Sequence, residues 1–430
     1  IHIGHSIGWP FLMEGGMHML RVIELFSGIG AQEQALKEAE IKHRIVATSD
    51  IDSYANKVYE ALHGEKINLG DIKTIQRLPN ADLITYSFPC TDISISGRMK
   101  GFDKGSNTGS SLLWEVQRLL EVARDNNELP RFLLMENVKN IISKKFMPKF
   151  QEWLDFLTEL GYKNFYQVLN AKDYGVPQNR ERCFMISILN YEGDFKFPEK
   201  QELKVKLRDL LEDEVDEKYF LSNKLIDCFT DMKNRNGLIR GLRFRPKGKD
   251  EDYAWTITTH AGSRPTDNYI IEPIPAALRG RYESDGKIKQ HLELKDDGNT
   301  NTITTVQKDN LIIVPEATKK GYALAKEGDG IYTNRVQYKR GVVQKDKIPT
   351  LKTSPNDVAV VTKDINNLIS IRRLTPRECF RLMGWCDEDI NRAFKTGVSD
   401  TQLYKMAGNS IVVNCLTEIF KNLKEIIENV

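Results

Sequence analysis

The feature that most limits the fold of this chain is a regular alternation of short apolar runs and helical patterns through its first half. The apolar runs have the length of buried strands and lie at 20–26, 43–50, 81–88, 131–137 and 182–189. The helical patterns fall between them, at 31–40, 53–64, 110–125 and 147–161. This alternation predicts an α/β fold with a mostly parallel sheet covered by helices on both faces. Because ligands of such sheets bind at the carboxyl ends of strands, functional residues are expected at that edge.

The composition changes near Lys200, which predicts a second domain. Residues 201–370 are richer in Gly, Asn, Thr and Asp, and their strand-like runs are shorter. Three stretches share threonines around an apolar residue, a polar turn and a β-branched run; they are 254–271, 300–313 and 348–361. These are either unrelated hairpins of a β-rich domain or copies of one unit that presents polar turns to a partner.

Local signals predict where several helices begin. Ser110 and Ser111 are placed as N-caps of the helical pattern that they open. Thr375 and Glu378 have the spacing of a capping box, which predicts a helix over 375–385. The stretch 399–430 predicts one long amphipathic helix.

Charge and cysteine content narrow the class of protein. The six cysteines are scattered and form no C-x-x-C pair, which argues against a zinc site and a disulfide framework and for a reducing cytoplasm. With the cysteines scattered in this way, no metal site is expected. No membrane span is expected either, since no apolar run approaches about 20 residues. The net charge is only +2, but residues 232–249 are strongly basic and contain no acid. That segment is either a solvated loop or a phosphate-binding surface.

A glycine turn, 24–30 ("ELFSGIG"), follows the first predicted strand and precedes the first helix. Glycines there let a cofactor approach the backbone closely. Asp50 and Asp52 end the second strand, where a carboxylate suits ribose hydroxyls. Glu33 occupies the place of the third glycine of a dinucleotide fingerprint, so a smaller nucleoside cofactor is favoured over a pyrophosphate. Asp71 is either a further ligand or a plain turn residue.

Chemically active side chains also follow the later strands. Cys90 is compatible with a buried residue, half of a disulfide, a metal ligand or a nucleophile. Glu136 and Asn137 follow a buried strand and either meet a ligand or cap a helix, because unpartnered polar groups there are costly. Arg180 and Arg182 alternate on an extended segment and share a face, which fits an anionic ligand or a surface salt-bridge pair.

Six stretches, in this order, resemble the successive motifs of the cytosine-5 DNA methyltransferase family. They are "ELFSGIG", "SFPC…SISGRMKGF", "MENV", "LNAKDYGVPQNRER", "RRLTPRECFRLMGW" and "YKMAGNSIVVN". The resemblance covers about residues 20–200 and 370–420, and the intervening region lies where the family keeps its variable target-recognition domain.

The resemblance implies a Rossmann-like class I methyltransferase sheet with a second, smaller β-rich domain. The expected parts are an N-terminal extension over 1–18, a catalytic domain over 19–200 completed by 400–430, and a target-recognition domain over 201–399. The last of these includes a scaffold segment at 372–385.

The cofactor that the resemblance implies is S-adenosylmethionine. The residues expected to bind it are Phe26, Gly28, Ile29, Gly30, Asp50, Ile51, Asp71 and Asn409. Asp50 would hold the ribose, where many family members have glutamate. Asp71 would meet the adenine amino group, and Asn409 would close the site from the far end of the chain.

The resemblance also implies a covalent reaction on a cytosine flipped out of the duplex. Cys90 would add to ring carbon 6, which turns the ring into a nucleophile towards the methyl group. Glu136 would bind and protonate ring nitrogen 3, and Asn137 would orient its loop. Arg182, with Arg180 beside it, would favour the thiolate of Cys90.

Further substrate contacts are expected around the nucleophile and in the second domain. Pro89 and Ser94 flank Cys90, and the loop 97–102 would contact phosphate and close over the base. Thr91 stands where the family commonly has glutamine. The residues expected to read or track DNA are Arg240, Arg243, Arg245 and Thr350. Thr350–Leu351 matches the family's recurring Thr-Leu pair, with 256–257 and 302–303 as rival placements.

The resemblance favours a sequence-specific DNA methyltransferase of a bacterial or phage restriction-modification or epigenetic system. It would act in the cytoplasm as a monomer on double-stranded DNA, with any cognate restriction endonuclease acting separately. A tRNA cytosine methyltransferase is the first alternative, although the long variable region argues against it. A catalytically silent DNA-binding relative would lack Cys90 or Glu136. A nicotinamide oxidoreductase is disfavoured by the absent third glycine.

Overall fold

The computed structural model describes residues 19–94, 99–106, 108–219, 247–248, 252–259, 267–272 and 370–428, and seven strands between 276 and 360. The chain divides into two compact units. The first takes in the described residues up to Lys206, Trp255–Thr259 and those from Cys379 onward. The second comprises the described parts of Leu207–Ala254 and His260–Glu378.

The first unit is built on one large sheet flanked by helices. Its strands are β1 (Leu20–Leu25), β2 (His43–Ser49), β3 (Leu83–Tyr86), β4 (Phe132–Val138), β5 (Tyr162–Asn170) and β7 (Glu181–Leu189). The short strand β6 (Gln178–Asn179) precedes β7 and lies outside this sheet. The helices up to the second unit are α1 (Ala31–Glu38), α2 (Ser53–His63), α3 (Leu113–Asp125) and α4 (Met147–Glu159). Among the described residues the sheet has six strands in the order β2-β1-β3-β4-β7-β5. The predicted α/β class is therefore confirmed.

The sheet is parallel from β2 to β4 and antiparallel beyond it. Strand β7 runs antiparallel to both β4 and β5. The sequence did not indicate β5, because polar residues interrupt the apolar ones between Lys163 and Val168. In the structure these side chains are partly or fully exposed. The reversal matters for the site, because it places the first residues of β7 beside the last residues of β4. Val138 pairs with Arg182 in this register.

The second unit contains short strands in three small sheets of the described backbone. Its strands, with β9 at its boundary, are β8 (Lys247–Gly248), β9 (Ala254–Trp255), β10 (Tyr269–Glu272), β11 (Ala276–Tyr282), β12 (Ile288–Leu294), β13 (Asn310–Pro315), β14 (Tyr322–Ala325), β15 (Gly330–Tyr332), β16 (Val343–Gln344), β17 (Val358–Val360) and β18 (Ser370–Arg373). The predicted β-rich character of this region is thus present in its described part. Arg372 and Glu378 form a fully buried ion pair at 2.8 Å.

The remaining helices are α5 (Pro376–Arg381), α6 (Asp387–Lys395), α7 (Asp400–Asn409) and α8 (Val413–Glu428). The capping box is confirmed, since Thr375 N–H donates to Glu378 and Glu378 N–H donates to Thr375 Oγ1. The single long helix over 399–430 was wrong, because Ser410 is extended and separates α7 from α8. No helix in the described ranges is both long and apolar enough to cross a membrane.

The predicted serine caps of α3 were also wrong. A short 3-10 helix, Gly109–Leu112, precedes α3, and neither helix has a side-chain cap. The hydroxyl of Ser110 instead points to the segment around Cys90, where it bonds Pro89 O at 2.6 Å. Ser110 therefore bonds the backbone of the segment around Cys90 instead of capping α3.

Candidate active site

Cys90 lies at the start of a tight turn, four residues after β3 ends at Tyr86. Its carbonyl oxygen accepts hydrogen bonds from Ile93 N (3.0 Å) and Ser94 N (2.8 Å), and the residue is half-buried. No disulfide or metal cluster involves it, since it is a free cysteine and no group of metal-binding side chains occurs in the described residues. The sequence left four roles open for Cys90: a buried residue, half of a disulfide, a metal ligand or a nucleophile. A free, half-buried thiol at the edge of the sheet fits the role of a nucleophile.

Glu136 and Arg182 form an ion pair beside the cysteine. The Nε of Arg182 lies 3.2 Å from Oε1 of Glu136, and Glu136 is only 8% exposed. Burial raises the pKa of the Glu136 carboxyl, although Arg182 and Arg180 oppose that shift. A carboxyl in this setting takes up a proton more readily than in water, as a group that protonates a ring nitrogen must.

Arg180 has a different environment from Arg182. It is buried, and its guanidinium donates to the carbonyl oxygens of Ile257 (2.8 Å), Gly408 (2.9 Å) and Ser410 (2.9 Å). These three segments are far apart in the chain, so Arg180 joins them. Arg182 makes the ion pair with Glu136, and the charge of Arg180 also opposes the rise that burial causes in the pKa of both Glu136 and Cys90.

The segment Trp255–Thr259 packs tightly within this unit. Thr256 Oγ1 donates to Asn179 O (2.7 Å), and Ile257 N donates to Gln178 Oε1 (2.9 Å). A Cβ at Gly408 would lie 2.5 Å from the backbone of this segment, so only glycine permits the approach. Of the three rival Thr-Leu-like placements, 256–257 is described and lies in the first unit.

Burial is also the largest influence on the pKa of the Cys90 thiol. It raises the pKa of Cys90, while Arg182 pulls that pKa down and Glu136 pushes it up. The sequence predicted a cation beside the thiol, and Arg182 supplies it, but desolvation outweighs its effect. The free protein therefore holds Cys90 mainly as the thiol at neutral pH.

Alkylation of Cys90 by iodoacetamide is expected to accelerate about tenfold per pH unit from neutral pH upward, with no plateau up to about pH 9, because only the thiolate reacts. Mass spectrometry of the Cys90 peptide measures the rate. The exposed Cys386 reports the background reactivity of another thiol in the same sample. A plateau near neutral pH would mean that the arginines dominate and that the pKa is lowered.

The glycine turn has the backbone expected of a ligand-binding loop. Phe26 (φ 57°) and Gly28 (φ 54°) both adopt left-handed conformations, which is uncommon for a phenylalanine. The space where a Cβ of Gly28 would project is open, and the Gly28 N–H donates to Asp50 Oδ2 at 2.8 Å. Gly30 directly precedes α1. A ligand can therefore lie against this turn with a carboxylate beside it, which fits a nucleoside cofactor.

The other predicted cofactor residues lie in unequal environments. Ile51 is 76% exposed, an unusual exposure for isoleucine that suits a ligand-covered surface, whereas Ile29 is buried. Asp71 is exposed and accepts a hydrogen bond from Lys73 N at the start of a 3-10 helix. Asn409 is exposed at the end of α7. The exposed side chains of Ile51, Asp71 and Asn409 can therefore contact a ligand directly, whereas that of Ile29 is buried.

Sequence reasoning missed a buried cluster under the turn. Tyr59 Oη lies 2.7 Å from Glu24 Oε2 and 2.8 Å from Glu33 Oε2. A phenol has one proton to donate, so one carboxyl must carry its own. Burial raises the pKa of Glu24 to about 8, which identifies Glu24 as the protonated partner. Glu33, noted only as a missing glycine, thus ties α1 to α2.

Several side chains hold the segment around Cys90. Asn137 Nδ2 donates to Phe88 O (3.0 Å), two residues before Cys90. Asn140, which the sequence did not single out, donates to Ile93 O (2.6 Å). Thr91 is exposed and its hydroxyl lies 3.3 Å from Asp92 Oδ2. The Thr91 hydroxyl therefore donates to the carboxylate of the next residue.

The predicted DNA-reading residues Arg240, Arg243, Arg245 and Thr350 lie outside the described residues. The same holds for 302–303 and for part of the loop 97–102. Their roles remain predictions from the sequence.

Comparison with known proteins gives a single family. The model of the C-5 cytosine-specific DNA methylase family matches residues 20–425. The type II methyltransferase M2.ScrFI of Lactococcus lactis subsp. cremoris is 31% identical, over 94% of this chain and 99% of that protein. The orphan methyltransferase M.SPRI of Bacillus phage SPR is also 31% identical, over 95% and 98%.

Solved structures share the fold. The Dnmt2 methyltransferase of S. pombe has a TM-score of 0.56 at 20% identity and covers 95% of this chain and 99% of its own. A DNMT2 variant of Spodoptera frugiperda has a TM-score of 0.57 at 20% identity, with 94% and 99% covered. At these identities the likeness concerns the fold alone.

Proposed function

Because this chain belongs to the C-5 cytosine-specific DNA methylase family and is a DNA cytosine-5 methyltransferase, we propose that it works through a covalent adduct between Cys90 and carbon 6 of the target cytosine. One observation carries the proposal: the free thiol of Cys90 and the Glu136–Arg182 ion pair meet at the same edge of the sheet. That edge is where the carboxyl ends of β3 and β4 lie beside the start of β7.

In the proposed reaction the thiolate of Cys90 forms the bond to carbon 6, while Glu136 delivers a proton to ring nitrogen 3. Because nitrogen 3 is protonated, the addition gives a neutral enamine instead of a ring anion. Carbon 5 of this enamine is nucleophilic. After carbon 5 gains the methyl group, a water molecule takes the proton from carbon 5 and the bond between Cys90 and carbon 6 breaks, which releases the thiolate. Ring nitrogen 3 then returns its proton to the Glu136 carboxylate, and the ring is restored. Arg182 holds Glu136 in place and stabilises the thiolate, and Arg180 positions the surrounding segments.

We propose S-adenosylmethionine as the cofactor, which supplies an electrophilic methyl group on a sulfonium. The open backbone at Gly28, the left-handed Phe26 and the adjacent Asp50 support a nucleoside-sized ligand in the glycine turn. Ile51 would cover the adenine, Asp71 would meet its amino group, and Asn409 would close the site. Gly30 and Ile29 shape the turn that these contacts need.

The proposed substrate is double-stranded DNA, from which the cytosine is flipped at a cost of a few kcal/mol. Pro89, Ser94 and Asn137 would line the entry of the base. A target-recognition domain over 201–399 would read the sequence, with Arg240, Arg243, Arg245 and Thr350 as the proposed contacts. The catalytic domain would span 19–200 and be completed by 400–430.

The relatives support a bacterial or phage setting, since they include a type II and an orphan methyltransferase. We propose that the protein acts as a monomer in the host cytoplasm, in a restriction-modification system or alone. Any cognate endonuclease would act separately on the same DNA sequence.

Bisulfite sequencing of host DNA from cells that express the protein tests this function and reveals its target sequence. We expect one short sequence methylated at nearly every copy. Exchange of 201–370 for the same region of a relative should change that sequence. Methylation of tRNA with unmodified DNA would favour the tRNA methyltransferase alternative and contradict the proposal.

A further inference from the structure

The hydroxyl of Ser110 bridges the two sides of the nucleophile. Ser110 Oγ donates to the carbonyl of Pro89 at 2.6 Å and accepts the N–H of Asp92 at 3.2 Å. Pro89 directly precedes Cys90, and Asp92 follows it by two residues. The Ser110 side chain is fully buried, so no water competes for these bonds.

We propose that Ser110 is a positioning residue for methyl transfer, which holds Cys90 in the geometry that attacks the cytosine. The proposal rests on the proposed function of Cys90 as the nucleophile. Ser110 itself touches neither the base nor the cofactor in this proposal. It acts through the backbone on either side of Cys90.

Ser110 is well anchored for such a role. It lies in the 3-10 helix Gly109–Leu112, which leads directly into α3. Leu113 and Val116 of α3 are buried in the core under the sheet, so the serine is held by a packed helix. The neighbouring Gly109 N–H adds a second tie to Asp92 Oδ2 at 3.0 Å. A rigid element thus fixes the turn, as precise orientation of a reacting atom requires.

Other contacts to this segment act on one side of the cysteine at a time. Asn137 bonds Phe88 O, before Cys90, and Asn140 bonds Ile93 O, after it. Ser110 Oγ contacts both sides with one atom. Its loss would therefore release the Pro89 carbonyl directly before Cys90. Gly109 would still bond Asp92, and Asn137 and Asn140 would keep the strand end and the loop in place.

The test is Ser110→Ala, with Ser111→Ala as the matched control. Ser111 Oγ likewise has two backbone partners, the carbonyl oxygens of Ser106 (2.6 Å) and Thr108 (2.7 Å), but neither residue flanks Cys90. Ser110→Ala is expected to slow single-turnover methyl transfer and 5-fluorocytosine adduct formation by about 10- to 100-fold. The dissociation constants for DNA and S-adenosylmethionine should change less than about twofold. Ser111→Ala should leave the rates near those of the unaltered protein.

Equal rates for Ser110→Ala and Ser111→Ala would overturn the inference, as would a Ser110→Ala defect confined to DNA or cofactor binding. If Ser110→Ala does not fold, Ser110→Cys takes its place, since it keeps a side chain of similar shape that bonds only weakly. Failure of the unaltered protein to form any adduct would instead contradict the proposed function. The two failures are therefore distinguishable.

Discussion

Replacement of Cys90 by serine is expected to reduce methyl transfer on the order of 10⁴-fold or more while DNA binding persists. A serine hydroxyl has nearly the size of the thiol but is a far weaker nucleophile at neutral pH. The turn around Cys90 is held by backbone bonds from Ile93 and Ser94, which the substitution does not remove. Methyl transfer from labelled S-adenosylmethionine, with a DNA-binding measurement beside it, gives the result.

The control for Cys90→Ser is Cys386→Ser, which removes an exposed thiol in the same unit. This control should keep full activity. DNA with 5-fluorocytosine at the target should trap the unaltered protein and Cys386→Ser as adducts that survive denaturation, and should not trap Cys90→Ser. Methyl transfer retained by Cys90→Ser would refute the assignment of the nucleophile.

The second large effect is expected for Glu136→Gln, which should lower the single-turnover rate by about 10²- to 10⁴-fold. Glutamine keeps the shape of the side chain but has no proton to deliver to ring nitrogen 3. The matched control is Glu128→Gln, which breaks an exposed ion pair with Arg77 and should leave the rate unchanged. A Glu136→Gln rate close to that of the unaltered protein would rule out proton delivery by this carboxyl.

The pH profile separates the roles of Glu136 and Cys90. Burial raises the pKa of Glu136, and because this group must be protonated, its contribution is lost as pH rises through that raised value. Burial also raises the pKa of Cys90, whose reactive form is instead gained as pH rises. The unaltered protein should therefore show a bell-shaped rate profile, and Glu136→Gln should keep only the rising limb.

The sequence indicated candidate catalytic residues but not how they are arranged in space. Glu136 and Arg182 were each identified from short motifs, yet their ion pair depends on β7 running antiparallel to β4. Strand direction is not encoded in either segment, since an apolar run reads the same for both directions. The hydrogen bonds of Arg180 could not be predicted for a related reason, because its partners Ile257 and Gly408 lie 77 and 228 residues away.

The sequence by itself determined the α/β alternation, the glycine turn, the capping box of Thr375 and Glu378 and the strand-end position of Cys90. Each of these is a local property, set by periodicity, backbone preference or side chains within a few residues. The tertiary structure alone decided that Ser110 bonds the backbone of Pro89 and Asp92 rather than capping α3, that Glu33 pairs with Tyr59, and that α7 and α8 are separate. In these cases a buried polar group must find a partner, and the choice depends on which distant segment the packing brings within hydrogen-bond reach.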